Sequence, residues 1–152
     1  YALKFGMKVI VYAPKKIIRN KNIIQISRLS SLAKNADFIS NNVNSKKDNH
    51  HFLNKNFFKY MKKNSFFINT AKGDHVNIDD LCKIIIKKKI LGAAIDVYSE
   101  EDEKVIFNNK YLKKEIKINK NFILTPHIAG ATISDRFTLQ KRMFYLINNL
   151  LK

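Results

Sequence analysis

The chain has 152 residues, 45% of them hydrophobic, a single cysteine and a formal net charge of +17. That is the length of one domain with enough apolar material to bury a core, and it excludes a disulfide-stapled scaffold and disorder throughout. No apolar run is long enough to span a bilayer and no secretory leader is visible, so the expectation is a soluble protein of a reducing, cytoplasmic compartment with no membrane partner.

In chain order, Gly6 reads as the C-cap of a helix tail, and the β-branched run 7–12, closed by Pro14, as a buried strand. Residues 15–27 are basic and irregular, with a short strand at 23–26; Ser30 or Ser31 is the candidate cap of a short helix carrying Leu32 and Ala33. A strand follows over 36–40 and ends in Asn41-Asn42-Val43-Asn44. A lysine-rich loop leads to Phe52 and Leu53, and 54–61 reads as a short helix with Phe57, Phe58 and Met61 on its apolar side.

From there strand and helix alternate: strand 66–70, helix 78–90 with Asn77 as cap and Asp79 and Asp80 in its first turn, strand 92–98. Residues 101–120 are charged and poorly periodic, a surface excursion with one helical turn near Tyr111. A strand at 121–125 and an amphipathic helix over 132–151 complete the order, in which Cys82 sits in an apolar helical run as a buried thiol. Strands alternating with helices call for a doubly wound, parallel α/β sheet.

The lysines are scattered among asparagines and isoleucines, as over 15–22 and 84–89, and no nucleic-acid-binding motif interrupts them. The charge therefore reads as compositional bias on an ordinary fold, with no nucleic acid partner. Salt-sensitive binding to nucleic acid is the weaker alternative.

Three apolar strands run into polar loops that carry reactive side chains. They are Asn69-Thr70-Ala71-Lys72-Gly73, Gly92-Ala93-Ala94-Ile95-Asp96-Val97 with Ser99-Glu100-Glu101 beyond it, and Thr125-Pro126-His127-Ile128-Ala129-Gly130. In open α/β sheets ligands collect beyond the carboxyl ends of the strands, so these ends can bring an amine, a carboxylate and an imidazole to one cleft. An imidazole held there trades a proton at neutral pH.

With Gly6-Met7-Lys8-Val9-Ile10-Val11-Tyr12 ahead of those three segments, the chain resembles the D-isomer-specific 2-hydroxyacid dehydrogenases over nearly its whole length, phosphoglycerate dehydrogenases and glyoxylate or hydroxypyruvate reductases in particular. The resemblance implies a Rossmann-like domain of which residues 1–152 are the C-terminal portion. The family's first strand and its Gly-x-Gly-x-x-Gly turn would precede Gly6; that strand would be central, so its absence exposes strand edges and apolar surface. It further implies hydride transfer between NAD or NADP and a small 2-hydroxy or 2-oxo acid, in a parent protein that is a homodimer.

By position, the resemblance makes His127 the proton carrier, Glu101 the carboxylate that tunes it with Glu100 as close rival, and Lys72 the group that grips the substrate carboxylate. It sets Ala13, Asn42, Val43, Thr70, Ala71, Asp96, His127 and Gly130 against the cofactor, Asp96 at the nicotinamide amide. The chain departs from the family pattern at two of these places and at one beside them. Lys72 stands where the family has an arginine, whose planar fork makes two parallel bonds to a carboxylate where an ammonium makes a point contact. Ala13 stands where NAD-preferring members carry an acid, which leaves NADP open, with Lys15 or Lys16 near a 2′-phosphate. Asp102 stands in place of a proline, implying a less rigid loop around Glu101. His50 and His51 are read as structural, and no metal is expected. A relative that kept the fold and lost catalysis, serving as a nucleotide sensor or scaffold, is the alternative these departures permit.

Overall fold

The computed structural model describes residues 1–13, 20–44, 47–119 and 121–130. A 3-10 turn over Ala2–Phe5 ends at Gly6, whose φ of 74° is the left-handed C-cap conformation that glycine adopts without a Cβ penalty. The strands that follow are β1 (Val9–Tyr12), β2 (Ile23–Ile26), β3 (Phe38–Asn41), β4 (Phe66–Asn69), β5 (Gly92–Ile95) and β6 (Phe122–Leu124). Between them lie α1 (Leu29–Asn35), α2 (Lys55–Phe58), α3 (Ile78–Ile86), α4 (Glu100–Asn108) and α5 (Lys110–Lys114), the last continuing as a π-helical turn over Glu115–Asn119.

All pairings between these strands are parallel, as the βα alternation requires. The described strands form two sheets rather than one: β1 pairs with β2, and β3-β4-β5-β6 form a four-stranded sheet in chain order. The register aligns Ile39, Phe67, Ala93 and Phe122 in one row and Asn41, Asn69, Ile95 and Leu124 in another. Because strand side chains alternate, both rows lie on the same face, and it is the buried one. Phe57, Phe58 and Phe67 meet there edge to face, with ring centroids 5.4–6.4 Å apart. The opposite face keeps Phe38 (63% exposed) stacked on Phe66 at 5.2 Å, and Ile123 is 52% exposed. Phe5 and Met7 are also exposed, so the described molecule does present apolar surface.

Helix caps explain several boundaries. Asn54 accepts the Asn56 N–H to start α2, and Asn77 accepts the Asp80 N–H to start α3. Helix α1 corrects the expected cap: Arg28 is its N-cap residue, with no side-chain cap bond, and Ser30 and Ser31 lie inside the first turn. Helix α3 stops at Ile86, short of Ile90, and Lys88 takes a φ of 52° as the chain turns toward β5.

The largest correction falls on the stretch expected to be a surface excursion, of which residues 101–119 belong to α4, α5 and the π turn. Two caps that the charge pattern hides start these helices. Ser99 and Asp102 make a reciprocal capping box, the Ser99 Oγ accepting the Asp102 N–H at 3.1 Å while Asp102 accepts the Ser99 N–H at 2.9 Å. Asn109 accepts the N–H groups of Tyr111 and Leu112. Ile106 and Leu112 are fully buried, anchoring both helices to the core. Asp102 thus orders the segment expected to be loose. Residues 15 and 16, and the helix expected over 132–151, lie outside the described residues. Among the described residues no helix is long and apolar enough to cross a membrane.

Candidate active site

The strand ends β3, β4, β5 and β6 stop at neighbouring positions, and the residues just beyond them form one end of the sheet. The Asp96 N–H donates to the Asn69 carbonyl at 2.9 Å and the Thr125 N–H to the Ile95 carbonyl at 3.1 Å, carrying the ladder one residue past the strands. Asp96 is only 4% exposed and organises the 125–129 loop. Its carboxylate accepts the Thr125 hydroxyl at 2.5 Å and the N–H groups of Ile128 and Ala129 at 3.0 and 3.1 Å; its carbonyl accepts the His127 N–H at 2.8 Å. Burial opposes ionisation of this carboxyl. The hydrogen bonds from Thr125, Ala129 and Ile128, with the nearby His127, outweigh it and hold the group below the usual aspartate value.

His127 follows Pro126 in a left-handed conformation, with φ 53°. Such a φ is costly for a residue with a Cβ and persists where surrounding bonds impose it, here the Asp96 clamp. The ring itself is exposed.

The β4 loop is fixed by similar means. The Asn69 side chain donates to the Lys72 carbonyl at 3.2 Å and tightens the turn. Gly73 then packs on the β5 loop, where a Cβ would lie 3.1 Å from the Val97 carbonyl oxygen and 3.2 Å from the Tyr98 Cα. Only glycine allows this approach without displacement.

An open cleft of 390 Å³ results, lined by Asn42, Val43, Asn44, Thr70, Ala71, Lys72, Val97 and His127. That size is ordinary for a small-ligand site. The structure therefore brings Lys72, His127, Thr70, Ala71, Asn42 and Val43 to one cleft. Asp96 lies beneath it, and Ala13, buried at the end of β1 and bonded through its carbonyl to the Gln25 side chain, is not among the lining residues. Gly130 is exposed, with nothing within 4 Å of where a Cβ would sit.

Glu101 and its rival Glu100 are exposed in the first turn of α4 and outside the cleft lining. The capping box is the cause: by winding the chain into helix directly after Ser99, it turns both glutamates onto the helix. His50 and His51 stack on each other at 3.8 Å, and no cluster of metal-binding side chains occurs among the described residues.

Sequence reading missed a buried polar group behind the cleft. Asn41 and Asn69 are register partners on the buried face, and the Asn41 side-chain amide donates to Asn69 Oδ1 at 2.9 Å and lies 3.2 Å from His75 Nδ1. The signal was present: asparagines at inward-facing positions of two adjacent apolar strands must find polar partners.

Comparison with known proteins supplies the context. Residues 1–129 match the family model described as D-isomer specific 2-hydroxyacid dehydrogenase, NAD binding domain. The glyoxylate reductase of Thermococcus litoralis is 34% identical over 130 residues, which is 84% of this chain and 37% of that protein. Among solved structures, the D-lactate dehydrogenase of Aquifex aeolicus complexed with NAD and lactic acid aligns with a TM-score of 0.75 at 30% identity, covering 99% of this chain and 48% of that one. An acyclic imino acid reductase in complex with NADPH and D-Arg aligns with a TM-score of 0.76 at 28% identity, covering 98% and 44%. The chain spans less than half the length of each of these relatives. Parallel topology, a cleft at the strand ends and a family match over most of its length agree: the chain belongs to the D-isomer specific 2-hydroxyacid dehydrogenase family and has the Rossmann-like fold of its NAD-binding domain.

Proposed function

We propose that residues 1–152 form the C-terminal portion of the dinucleotide-binding domain of an NAD(P)-dependent oxidoreductase that interconverts a small 2-oxo acid and its 2-hydroxy acid. The observation that carries the reading is the single cleft flanked by the Lys72 loop and by His127. When bound, the nicotinamide cofactor supplies or accepts the hydride.

The residues present fit its nicotinamide end. Thr70, Ala71, Asn42 and Val43 offer a small-residue wall to a flat ring. Asp96 retains acceptor capacity for an amide: Oδ1 takes two donors and Oδ2 one, against about two lone pairs per carboxylate oxygen. Ala13 carries no acid to select against a 2′-phosphate, so both NAD and NADP are admitted.

Within the cleft Lys72 binds the substrate carboxylate and draws the adjacent carbonyl into place as a point charge. His127, clamped by Asp96, gives its proton to the carbonyl oxygen in the reducing direction and takes it from the hydroxyl in the oxidising one. Glu101, exposed in the first turn of α4, acts on the imidazole when substrate closes the cleft. Hydrogen bonds of this kind often tighten only in the loaded site. In the same reading the intact protein is a cytoplasmic homodimer.

The test is turnover of the intact protein with NADH or NADPH on glyoxylate and hydroxypyruvate. Replacing His127 by alanine is expected to lower turnover by about 10²–10⁴-fold. Lys72→Arg is expected to raise acid affinity and Lys72→Ala to lower it. Unchanged turnover in the His127→Ala protein removes the mechanism.

A further inference from the structure

The polar group behind the cleft has a direction that can be worked out bond by bond. Asn41 Oδ1 accepts the Val43 N–H at 3.3 Å, and a backbone N–H can only donate. At the other end Asn69 Nδ2 donates to the Lys72 carbonyl at 3.2 Å, and a carbonyl can only accept. Those two backbone groups settle which way each side-chain amide faces. Asn41 must therefore present its NH₂ to Asn69 Oδ1 and to His75 Nδ1, which uses both amide hydrogens. His75 Nδ1 is an acceptor, and the ring proton is on Nε2.

That Nε2 is buried, without a hydrogen-bond partner among the described residues, in a side chain with no exposed surface. Phe52 meets the ring edge-on at 5.4 Å, and the Leu53 N–H bonds the His75 carbonyl at 3.0 Å, fixing the backbone that carries the ring. Leaving a buried donor unpaired is unfavourable, and a histidine in that state calls for a use elsewhere on the ring.

We infer that His75 is a positioning residue: as a neutral Nε2–H imidazole it completes an Asn41–Asn69 relay that sets the separation of the Val43 and Lys72 loops, which follow neighbouring strands and both line the cleft. An apolar side chain at 75 leaves the second Asn41 hydrogen unpaired, and the amide can recover a partner only by turning away from the Val43 N–H or Asn69. Either movement passes to a wall. The functional weight of this inference rests on the proposed function of the cleft; the relay itself does not.

The experiment is nitrogen-15 NMR of the full 152-residue chain at neutral pH, reading the His75 ring nitrogens and the amides of Val43 and Gly73. The expected result is a protonated Nε2 and an unprotonated, hydrogen-bonded Nδ1. An Nδ1–H tautomer or a doubly protonated ring overturns the inference, and this readout needs no variant.

Two substitutions extend it. His75→Asn keeps an acceptor at the Nδ1 position, as Oδ1 sits the same number of bonds from the Cα, whereas His75→Leu removes it. The Val43 and Gly73 amide signals are expected to move in His75→Leu and to return in His75→Asn, with NADH affinity falling about tenfold in the first and recovering in the second. Equal displacement in both variants shows a merely structural ring and overturns the inference. Failure of the intact wild-type protein to bind NADH, with the tautomer as expected, counts against the proposed function and leaves the relay standing.

Discussion

Asp96 holds His127 by its backbone and not by its ring: the Asp96 carbonyl accepts the His127 N–H at 2.8 Å, and its carboxylate takes the next two N–H groups in the chain. The imidazole takes no part in this clamp, while the φ of 53° at His127 is enforced from below. Asp96→Asn puts an NH₂ where donors point inward, so it is expected to cost about 1–3 kcal/mol and to loosen residues 125–129. Faster amide exchange at Ile128 and Ala129 checks this.

The same carboxylate gives a pH dependence with a definite sign. Its folded pKa lies below the usual aspartate value, so its contribution to stability is fully present above that usual value and is lost as pH falls through the lower folded one. Acid unfolding followed by circular dichroism is expected to shift to higher pH and to flatten in the Asp96→Asn protein.

Close backbone approaches separate two glycines by consequence. A Cβ at Gly92 would collide with the Asn121 backbone carbonyl and lie 3.3 Å from the Phe66 ring, so Gly92→Ala must push the Asn121 backbone, and with it β6, from β5. The expected loss is about 1–3 kcal/mol or more, read from the urea midpoint. At Gly73 the corresponding contact is 3.1 Å, and Gly73→Ala is expected to shift the Lys72 loop with a smaller loss of stability. An unchanged midpoint in Gly92→Ala contradicts the packing described.

Cys82 is buried on α3, and its thiol is pushed up to about 12, first by burial and then by the charges of Asp79 and Asp102. The thiolate is the reactive form, so disulfide reagents at about pH 8 are expected to modify Cys82 only as fast as the protein opens. Urea should accelerate labelling sharply. Rapid labelling of the native chain contradicts the burial.

The parts of the fold legible in the sequence were those written in local patterns. Residues 23–26 read as a strand and form one, and Phe57, Phe58 and Met61 read as an apolar helix side and are buried. Asn77 announced its helix because cap and first-turn acids stand together. The segment after Ser99 was illegible for the opposite reason: its charges conceal a capping box and two buried anchors, Ile106 and Leu112. At the site, motif positions marked Lys72 and His127, which the fold brings together. His75 escaped notice because its role depends on Asn41, 34 residues away in sequence, and that separation closes only when β3 and β4 pair.

The central claim is that the strand-end cleft is where cofactor and acid meet. Titrating NADH and then hydroxypyruvate into the nitrogen-15-labelled intact protein tests it most directly. The account predicts amide shifts concentrated at Val43, Thr70, Ala71, Lys72, Val97 and His127. Binding that moves other residues and leaves these unmoved would contradict it.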